Sequence, residues 1–165
     1  MAEALEPCDE CRRPGAGGRA GCRATFDRYL ARDFSHALYF RTHRMFVDTY
    51  ALQHPDEFCR SAKSLAAHLV GLCAILEHGP NPAAGADALR RWLDGGRLLD
   101  KPALPARRGE TTIGDLPDED DPAAWAEAVR AWAESTWAAY AQLHPLARDW
   151  LAQAGRRTGF RHRRT

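Results

Sequence analysis

Residues 36–80 read HALYFRTHRMFVDTYALQHPDEFCRSAKSLAAHLVGLCAILEHGP, with apolar side chains at helical spacing on both sides of Pro55. Before the proline, a stripe recurs every three or four residues and predicts a helix over about 36–53; its members are Phe40, His43, Val47, Tyr50 and His54. A proline pushes the preceding residue out of the α region, so this helix should end at the proline.

A second apolar stripe follows the proline and predicts a helix that starts near Asp56 or Ser61 and ends at His78. The stripe consists of Leu65, His68, Leu69, Leu72, Ile75 and Leu76. The sequence Gly-Pro-Asn-Pro at 79–82 stops the helix. Because the connection is short, the two helices should form an antiparallel hairpin.

Helical patterns continue on both sides of this hairpin. Upstream, Phe26, Tyr29 and Leu30 predict a short first helix over about 24–33. Downstream, residues 86–93 predict a shorter helix that ends at a Gly-Gly pair. No segment is typical of a sheet strand.

The last helix has the clearest start signal in the chain. Asp121 is a strong N-cap and Pro122 suits the first helical position. Its near-heptad stripe of Trp125, Val129, Trp132, Thr136, Tyr140, Leu143, Ala147 and Trp150 is more typical of a core than of a cofactor site. Pro145 must kink or divide this helix. The sequence therefore predicts an all-α bundle of about four main helices.

Composition limits the class of protein. The chain has 165 residues, 45% of them hydrophobic and 27% charged, with a formal net charge of +1, which excludes a disordered chain, a collagen-like fibre and a disulfide miniprotein. No apolar run approaches the roughly 18 residues that a membrane span needs. The first residues, MAEALEPCDECRR, do not resemble a signal peptide. We therefore expect a cytoplasmic protein with reduced thiols and no membrane partner.

Three regions follow from these patterns. We expect a Cys-rich knuckle over 1–23, a helical bundle over 24–154 and a basic tail over 155–165. Within the bundle, residues 97–121 look irregular and are either a lid over a site or disordered. The tail could contact nucleic acid, but no basic stripe elsewhere supports nucleic-acid binding.

Three cysteines stand in a leader that cannot form a core of its own. Cys8, Cys11 and Cys22 have the spacing C-x2-C-x10-C, which can place three thiolates around one tetrahedral ion. A metal would also explain how this Gly-rich leader becomes ordered. A redox pair at the first two cysteines and unligated cysteines are the alternatives. Cys73 is expected to be a small buried residue, and Cys59 carries no clear signal.

Histidines in the predicted hairpin are candidates for the fourth ligand. Counted outward from Pro55, His43 and His68 lie at about the same height, on or near the apolar stripes. Either could complete the cysteine site, or both could join His144 in a separate histidine site. His54 is a candidate too, although a histidine at a helix end often caps carbonyl groups.

Asp48 faces Lys63 in the same count, so a salt bridge between them is expected. A role in orienting a ligand histidine is the alternative for this carboxylate.

The central run from His43 to Pro55, with Ser61 and the stretch 64–69, resembles an uncharacterised family of small bacterial proteins. Members start with a C-x2-C element and a third cysteine and end with a helix that carries Trp and His, matched here by Cys8, Cys11, Cys22, Trp137, His144 and Trp150. The leader departs at Glu10, where a glycine is typical. The resemblance implies a bacterial source and a domain of unknown function. The bundle histidines are also similar, at fold level only, to metal-dependent thiol transferases.

These observations together predict a zinc site built from Cys8, Cys11, Cys22 and one histidine, with His68 slightly ahead of His43. His144 and His54 are less favoured. Zinc suits a mixed thiolate and imidazole tetrahedron. Four protein ligands would make the metal structural, with function in binding a protein partner or small molecule. Three would leave an open position for a hydrolase or thiol transferase.

Overall fold

The computed structural model describes residues 5–79, 82–118 and 120–156. Within them the chain forms eight α-helices and no strand: α1 (Gly18–Ser35), α2 (Ala37–Phe40), α3 (His43–Gln53), α4 (Pro55–Phe58), α5 (Ala62–His78), α6 (Pro82–Asp94), α7 (Pro122–Ala139) and α8 (His144–Arg156). The all-α prediction is confirmed. The predicted number of about four main helices is not, because six of these helices have eleven residues or more.

Local capping explains why two helices begin where the sequence predicts. The Asp121 carboxylate accepts hydrogen bonds from the backbone N–H groups of Ala123 and Ala124, at 2.9 and 3.1 Å. At α5, Ser61 and Ser64 each bind the other's backbone N–H group and so form a capping box. Both start signals are confirmed.

The helix predicted over 36–53 is divided into α2 and α3 at Arg41–Thr42. The Thr42 hydroxyl donates to the carbonyl of Tyr39 and accepts from Trp125 Nε1, both at 3.1 Å. A hydroxyl that bonds nearby backbone competes with the helical ladder, so the chain breaks there. This break lengthens the connection between α1 and α3.

The predicted division of the last helix is confirmed. A 3₁₀ turn at Ala141–Leu143 separates α7 from α8, and Pro145 lies in the first turn of α8, where its missing N–H costs nothing. The Tyr140 hydroxyl donates to the Leu52 carbonyl at 2.6 Å and so ties this corner to the end of α3. The His144 imidazole donates to the carbonyl of Trp137 at 2.8 Å and stacks on its ring.

The core lies where α3 and α5 pack on each other and on α7 and α8. Its largest fully buried side chains include Trp92, Trp125, Trp132, Tyr50, Phe46 and Leu69. The Trp stripe of α7 is therefore core, as predicted. Among the described helices, none combines the length and the apolar character that a membrane span would need.

Residues 97–118, here called the strap, form an ordered irregular segment with one 3₁₀ turn at Ile113–Asp115. Ile113 is fully buried, and the Gln53 side-chain amide donates to the carbonyls of Arg108 and Thr111 at 2.9 and 2.8 Å. The Ser135 hydroxyl accepts from two further strap N–H groups. Of the predicted basic tail, residues 157–165 lie outside the described residues.

Candidate metal centre

The knuckle begins with a tight turn that carries two thiols. The Arg12 N–H donates to the Cys8 carbonyl at 2.8 Å, and the Cys8 N–H donates to the Arg13 carbonyl at 2.9 Å. Arg12 takes the left-handed conformation, with φ of 64°. The turn holds the thiols of Cys8 and Cys11 side by side, and both are buried.

The other two donors come from helices that run antiparallel. Cys22 lies in the first turns of α1, which begins at Gly18 rather than near residue 24, and His54 directly follows the last residue of α3. One helical turn after Cys22 and one turn before His54, the rings of Phe26 and Tyr50 stack with centroids 4.0 Å apart. This aromatic pair sets the register that brings Cys22 against His54.

The donor atoms of Cys8, Cys11, Cys22 and His54 all lie within 4.8 Å of one another. The Cys11 and Cys22 sulfurs are 3.7 Å apart, and His54 Nε2 lies 3.6 Å from Cys8 Sγ and 3.4 Å from Cys22 Sγ. A zinc tetrahedron with Zn–S of about 2.3 Å and Zn–N of about 2.0 Å has edges of about 3.8 Å between sulfurs and about 3.5 Å between sulfur and nitrogen. The four side chains could therefore bind a metal ion.

His54 is oriented as a ligand by groups around it. Its Nδ1 lies 2.9 Å from the Tyr50 carbonyl, which makes Nδ1 a donor and directs Nε2 toward the cysteine sulfurs. The Tyr50 ring stacks on the imidazole with centroids 3.9 Å apart, and only 2% of His54 is exposed. A backbone carbonyl is one of the groups that commonly accept the second N–H of a ligand histidine in metal sites.

Without a metal, the pKa values of Cys11, Cys22 and His54 are shifted in different directions. The hydrogen bond with Cys22, together with burial, raises the pKa of Cys11 to about 12, while the same hydrogen bond lowers the pKa of Cys22. Burial lowers the pKa of His54, but the neighbouring thiols outweigh it and raise that pKa to about 9. Thiol ligands bind metal as thiolates, so metal binding would release protons from this cluster.

Glu10 anchors the turn to the rest of the chain. Its side chain is 4% exposed, accepts from the Asp56 N–H at 2.9 Å and lies 3.2 Å from Arg19 Nη1. From the strap, Arg108 Nη1 donates to the Glu10 backbone carbonyl at 2.9 Å. The carboxylate that departs from the typical glycine therefore joins the knuckle to α1 and α4, while the backbone carbonyl of the same residue contacts the strap.

The structure places the two favoured bundle histidines away from this cluster. His68 Nδ1 lies 2.8 Å from Asp48 Oδ1, and His43 Nδ1 lies 3.3 Å from Asp33 Oδ2. His144 binds a carbonyl of α7, as described above. Of the four candidate histidines, His54, one of the two less favoured, lies beside all three cysteines.

The packing register of α1 against α3 explains why His54, rather than His43 or His68, lies beside the cysteines. Counting from a turn at residues 33–35 places Cys22 opposite residue 47, but the connection between α1 and α3 spans residues 36–42 and includes α2. The longer connection moves the opposite position by about two helical turns, to the end of α3. Pro55 is the feature of the sequence that points to His54. It ends α3 and leaves His54 at a corner where the knuckle can reach it.

The expected pairing of Asp48 with Lys63 is replaced by other contacts. The Asp48 carboxylate is buried, and its Oδ2 accepts from Arg44 Nε at 2.6 Å while its Oδ1 faces His68. The α3–α5 connection includes α4 and residues 59–61, so the hairpin is centred beyond Pro55. Residues at equal distances from Pro55 along the chain therefore do not face each other, and His43 and His68 are not opposite each other.

The remaining cysteines lie outside the cluster. Both Cys59 and Cys73 are fully buried, which confirms the prediction for Cys73. The Cys59 thiol donates to the Ala51 carbonyl at 3.5 Å. Burial raises the pKa of Cys73 to about 11, so this thiol stays protonated near neutral pH.

A polar pocket of about 450 Å³ lies between the knuckle and the strap. Cys11 and Arg13 line it from the knuckle, and Arg108, Thr112 and Asp115 line it from the strap. We call it the strap pocket. It borders one ligand of the candidate metal centre.

Comparison with known families gives one match. A model of a family of unknown function (DUF5946) matches residues 6–141, a range that contains all four residues of the cluster and α1 to α7. No curated protein and no solved structure matches the chain.

Proposed function

We propose that this chain, which belongs to the DUF5946 family of unknown function, is a zinc-stabilised binding protein. In this proposal Cys8, Cys11, Cys22 and His54 hold one zinc ion. The observation that carries it is the set of four buried donors within 4.8 Å, with spacings that suit the edges of a zinc tetrahedron.

A structural role for the metal follows from the number of donors. When bound, the ion would act as a cross-link, because four protein ligands leave no position for water or substrate. Three thiolates with one imidazole favour zinc over the hard cations, which prefer oxygen ligands. The sulfur spacing of 3.7 Å is also far from the roughly 2.05 Å of a disulfide.

The chain's own residues explain why a cross-link is needed. The described part of the knuckle that precedes α1 is residues 5–17, and four of these thirteen residues are Gly or Pro. Its buried apolar side chains are those of Cys8, Cys11 and Ala16. Such a segment cannot offset its ordering entropy by burial. Structural zinc in small peptides contributes about 10–16 kcal/mol, which offsets much of the ordering entropy of a segment of this length.

We infer that the bundle, once stabilised, serves to bind a partner, either a protein or a small molecule. We also infer a bacterial cytoplasmic setting, since a reducing compartment keeps the cluster thiols available to a metal. The family resemblance supports the bacterial source. Fractionation of cells that express the tagged chain tests the compartment, and secretion of the chain would contradict it.

Metal analysis of the purified protein is the direct test. We expect about one zinc per chain, and loss of that zinc in the double variant Cys8→Ala and Cys11→Ala. The matched control is Cys59→Ala with Cys73→Ala, which removes two buried cysteines outside the cluster and should keep the zinc. Retention of full zinc by the first variant would overturn the proposal.

Histidine variants identify the fourth ligand. His54→Cys should keep one zinc, because a thiolate can replace the imidazole, and His54→Ala should weaken binding. His68→Ala should leave the zinc content unchanged, since this histidine contacts Asp48 instead. Zinc loss in His68→Ala together with full retention in His54→Ala would contradict the assignment.

A metal-dependent enzyme of the hydrolase or thiol-transferase type is the alternative, and the strap pocket beside Cys11 favours it. This alternative requires an open position on the metal. Cobalt replacement distinguishes the two: a closed site keeps its tetrahedral absorption spectrum when thiocyanate or a small thiol is added, whereas an open site changes it.

A further inference from the structure

A second pocket, of about 320 Å³, lies in the part of the bundle formed by α3, α5, α6 and α8. Its volume is at the lower end of the range of about 300–1,000 Å³ for small-molecule sites. Its wall is mainly apolar and includes Met45, Val70, Ala74, Ile75, Leu89 and Leu151. None of the described residues that line it belongs to the candidate metal centre, so this pocket needs an explanation of its own.

The polar groups of this apolar pocket all carry or can carry positive charge. Arg41, His43 and Arg44 line it, and no acidic residue does so among the described lining residues. The Arg41 guanidinium is exposed and has no ion-pair partner within the described ranges of the chain. One cation is therefore available at the edge of an apolar wall.

The other two basic groups are held in place from behind. The Arg44 guanidinium donates to Asp48 at 2.6 Å and to the Ala67 carbonyl at 3.0 Å. Gly71 makes room for this pair, because a Cβ there would lie 2.3 Å from the Asp48 carboxylate. A glycine at this point of α5 therefore leaves room for the ion pair, in which Arg44 lines the pocket and Asp48 does not.

His43 is fixed in a comparable way. Its Nδ1 faces the fully buried Asp33 carboxylate, and the ring of Phe40 stacks on it with centroids 4.8 Å apart. With Nδ1 engaged, Nε2 is the nitrogen left for a ligand. A buried carboxylate behind a histidine that lines an apolar pocket fixes the ring without adding negative charge to the lining.

We propose that this pocket binds a hydrophobic monocarboxylate with a single medium-length alkyl chain. The alkyl chain would lie along Val70, Ala74 and Leu89, and the carboxylate would pair with Arg41 beside His43. One unpaired cation matches one negative charge, and the small volume excludes a lipid with two chains. The inference goes beyond metal binding and does not depend on the identity of the metal.

Titration calorimetry of the full-length, metal-loaded protein with decanoate and with 1-decanol tests the proposal. Decanoate should bind up to about fivefold more tightly than the alcohol, because an ion pair with a solvent-exposed arginine contributes up to about 1 kcal/mol. Arg41→Gln should reduce the affinity for decanoate to that for decanol and leave the affinity for decanol unchanged. Equal affinities of the unmodified protein for acid and alcohol would overturn the carboxylate assignment.

A blocking variant tests the location. Ala74 is half-buried and lines the pocket, so Ala74→Phe should fill it and abolish binding of both ligands. The matched control, Ala131→Phe, adds the same ring at an exposed position of α7 and should bind as the unmodified protein does. Equal binding by the two variants would overturn the proposal.

Methyl NMR of the unmodified protein gives a readout that does not depend on any variant folding. Decanoate should shift the methyl signals of Val70, Leu89 and Leu151, while those of Leu52 and Leu116, which do not line the pocket, stay in place. Absence of any shift at saturating decanoate, or shifts confined to the second group, would overturn the proposal.

Discussion

Gly21 is a position of α1 that the knuckle backbone approaches closely. A Cβ built on this glycine would lie 1.8 Å from the Ala16 carbonyl oxygen, which is backbone and cannot rotate away. The carbonyl belongs to the segment that returns from the Cys8–Cys11 turn, while Gly21 precedes Cys22 in the helix. The absence of a side chain at Gly21 therefore sets how closely the two halves of the candidate centre approach.

Gly21→Ala should lower the free energy of unfolding by about 1–3 kcal/mol and weaken zinc binding, because the knuckle must move away from α1. Denaturant unfolding and competition with a zinc-binding dye measure the two effects. Gly155→Ala in α8 is the control, since a Cβ there meets nothing within 4 Å and should be neutral or slightly stabilising. Equal stability and metal affinity of the Gly21 variant and the unmodified protein would contradict the steric argument.

For individual residues, the sequence indicated which cysteines lie together better than it indicated which histidine lies beside them. The three cysteines come together as their spacing indicated, because a C-x2-C turn is a local feature. The choice among histidines depends on the lengths of connections that are not local. The Thr42 break owes much to a hydrogen bond from Trp125, which is far along the chain. A count along one sequence cannot anticipate that contact.

The strap is the element whose order is least evident from its composition. Residues 97–118 form no regular structure apart from one 3₁₀ turn. Ile113 and Leu116 are buried in the core, and Gln53 on α3 adds hydrogen bonds to the strap backbone. The Gln53 amide nitrogen reaches the carbonyls of Arg108 and Thr111, and its oxygen accepts from Trp132 Nε1 at 3.0 Å. One buried amide thus satisfies two strap carbonyls and an indole of α7.

Gln53→Leu should lower the free energy of unfolding by about 2–3 kcal/mol, because at least one buried polar partner loses its hydrogen bond. Proteolysis should also cut the strap near 107–112 more readily. Gln142→Leu is the matched control, since Gln142 is exposed and reaches the strap through one long contact of 3.4 Å to Ala103. Similar stability and cleavage of the two variants would refute the role of Gln53.

An ion pair joins α5 to α8. Arg148 donates to both carboxylate oxygens of Glu77, at 2.8 to 3.2 Å, and the Glu77 side chain is 23% exposed. Hydrogen bonding by Arg148 holds the pKa of Glu77 below its ordinary value, against a smaller opposing effect of burial. The folded chain therefore binds this proton less readily than the unfolded chain, and the pair stabilises the fold above the unfolded pKa of about 4.3.

Glu77→Gln should cost about 0.5–1 kcal/mol at pH 7, and the difference from the unmodified protein should fade as pH drops through the lowered folded pKa. Urea unfolding of both proteins between pH 7 and pH 3 gives this difference. Glu127→Gln is the control, because Glu127 is exposed on α7 and makes no ion pair in the described part of the chain. A difference that does not shrink at all as pH falls below the unfolded pKa of about 4.3 would show that the glutamate acts through packing rather than charge.

Helix boundaries divide into those set by local signals and those set by tertiary contacts. The sequence predicts the caps at Ser61 and Asp121 and the break at Pro145, because these residues act within one helical turn. It does not predict the early start of α1 at Gly18, since residues 18–23 have weak helical signals of their own. These residues are helical beside Cys22 and the returning knuckle, a contact made only in the folded molecule.

The whole molecule combines a hydrophobic bundle with a knuckle that has almost no core. The bundle buries Trp132, Leu69 and many other large side chains, which stabilise it without a metal. The knuckle depends on its four donors and on polar contacts such as those of Glu10. Stability should therefore differ between the two parts, with the knuckle opening at lower free energy than the bundle.

Metal removal should separate these two parts in hydrogen exchange. After dialysis against a strong chelator, backbone amides over 8–22 and 54–58 should lose protection, and the central turns of α5 and α7 should keep most of theirs. The metal-loaded protein should protect both. The reason is that the cross-link ties the knuckle to the end of α3, whereas α5 and α7 are held by buried apolar side chains.

The double variant Cys8→Ala and Cys11→Ala provides the control for this exchange experiment, because it should show the exchange pattern of the metal-free protein with or without chelator. Unchanged protection of the knuckle after zinc removal would contradict a structural role for the metal. Loss of protection throughout α5 and α7 would contradict the independence of the bundle, since it would mean that the ion stabilises the fold as a whole. Local loss at the knuckle alone matches a molecule in which zinc attaches a coreless segment to a bundle that is stable by its own packing.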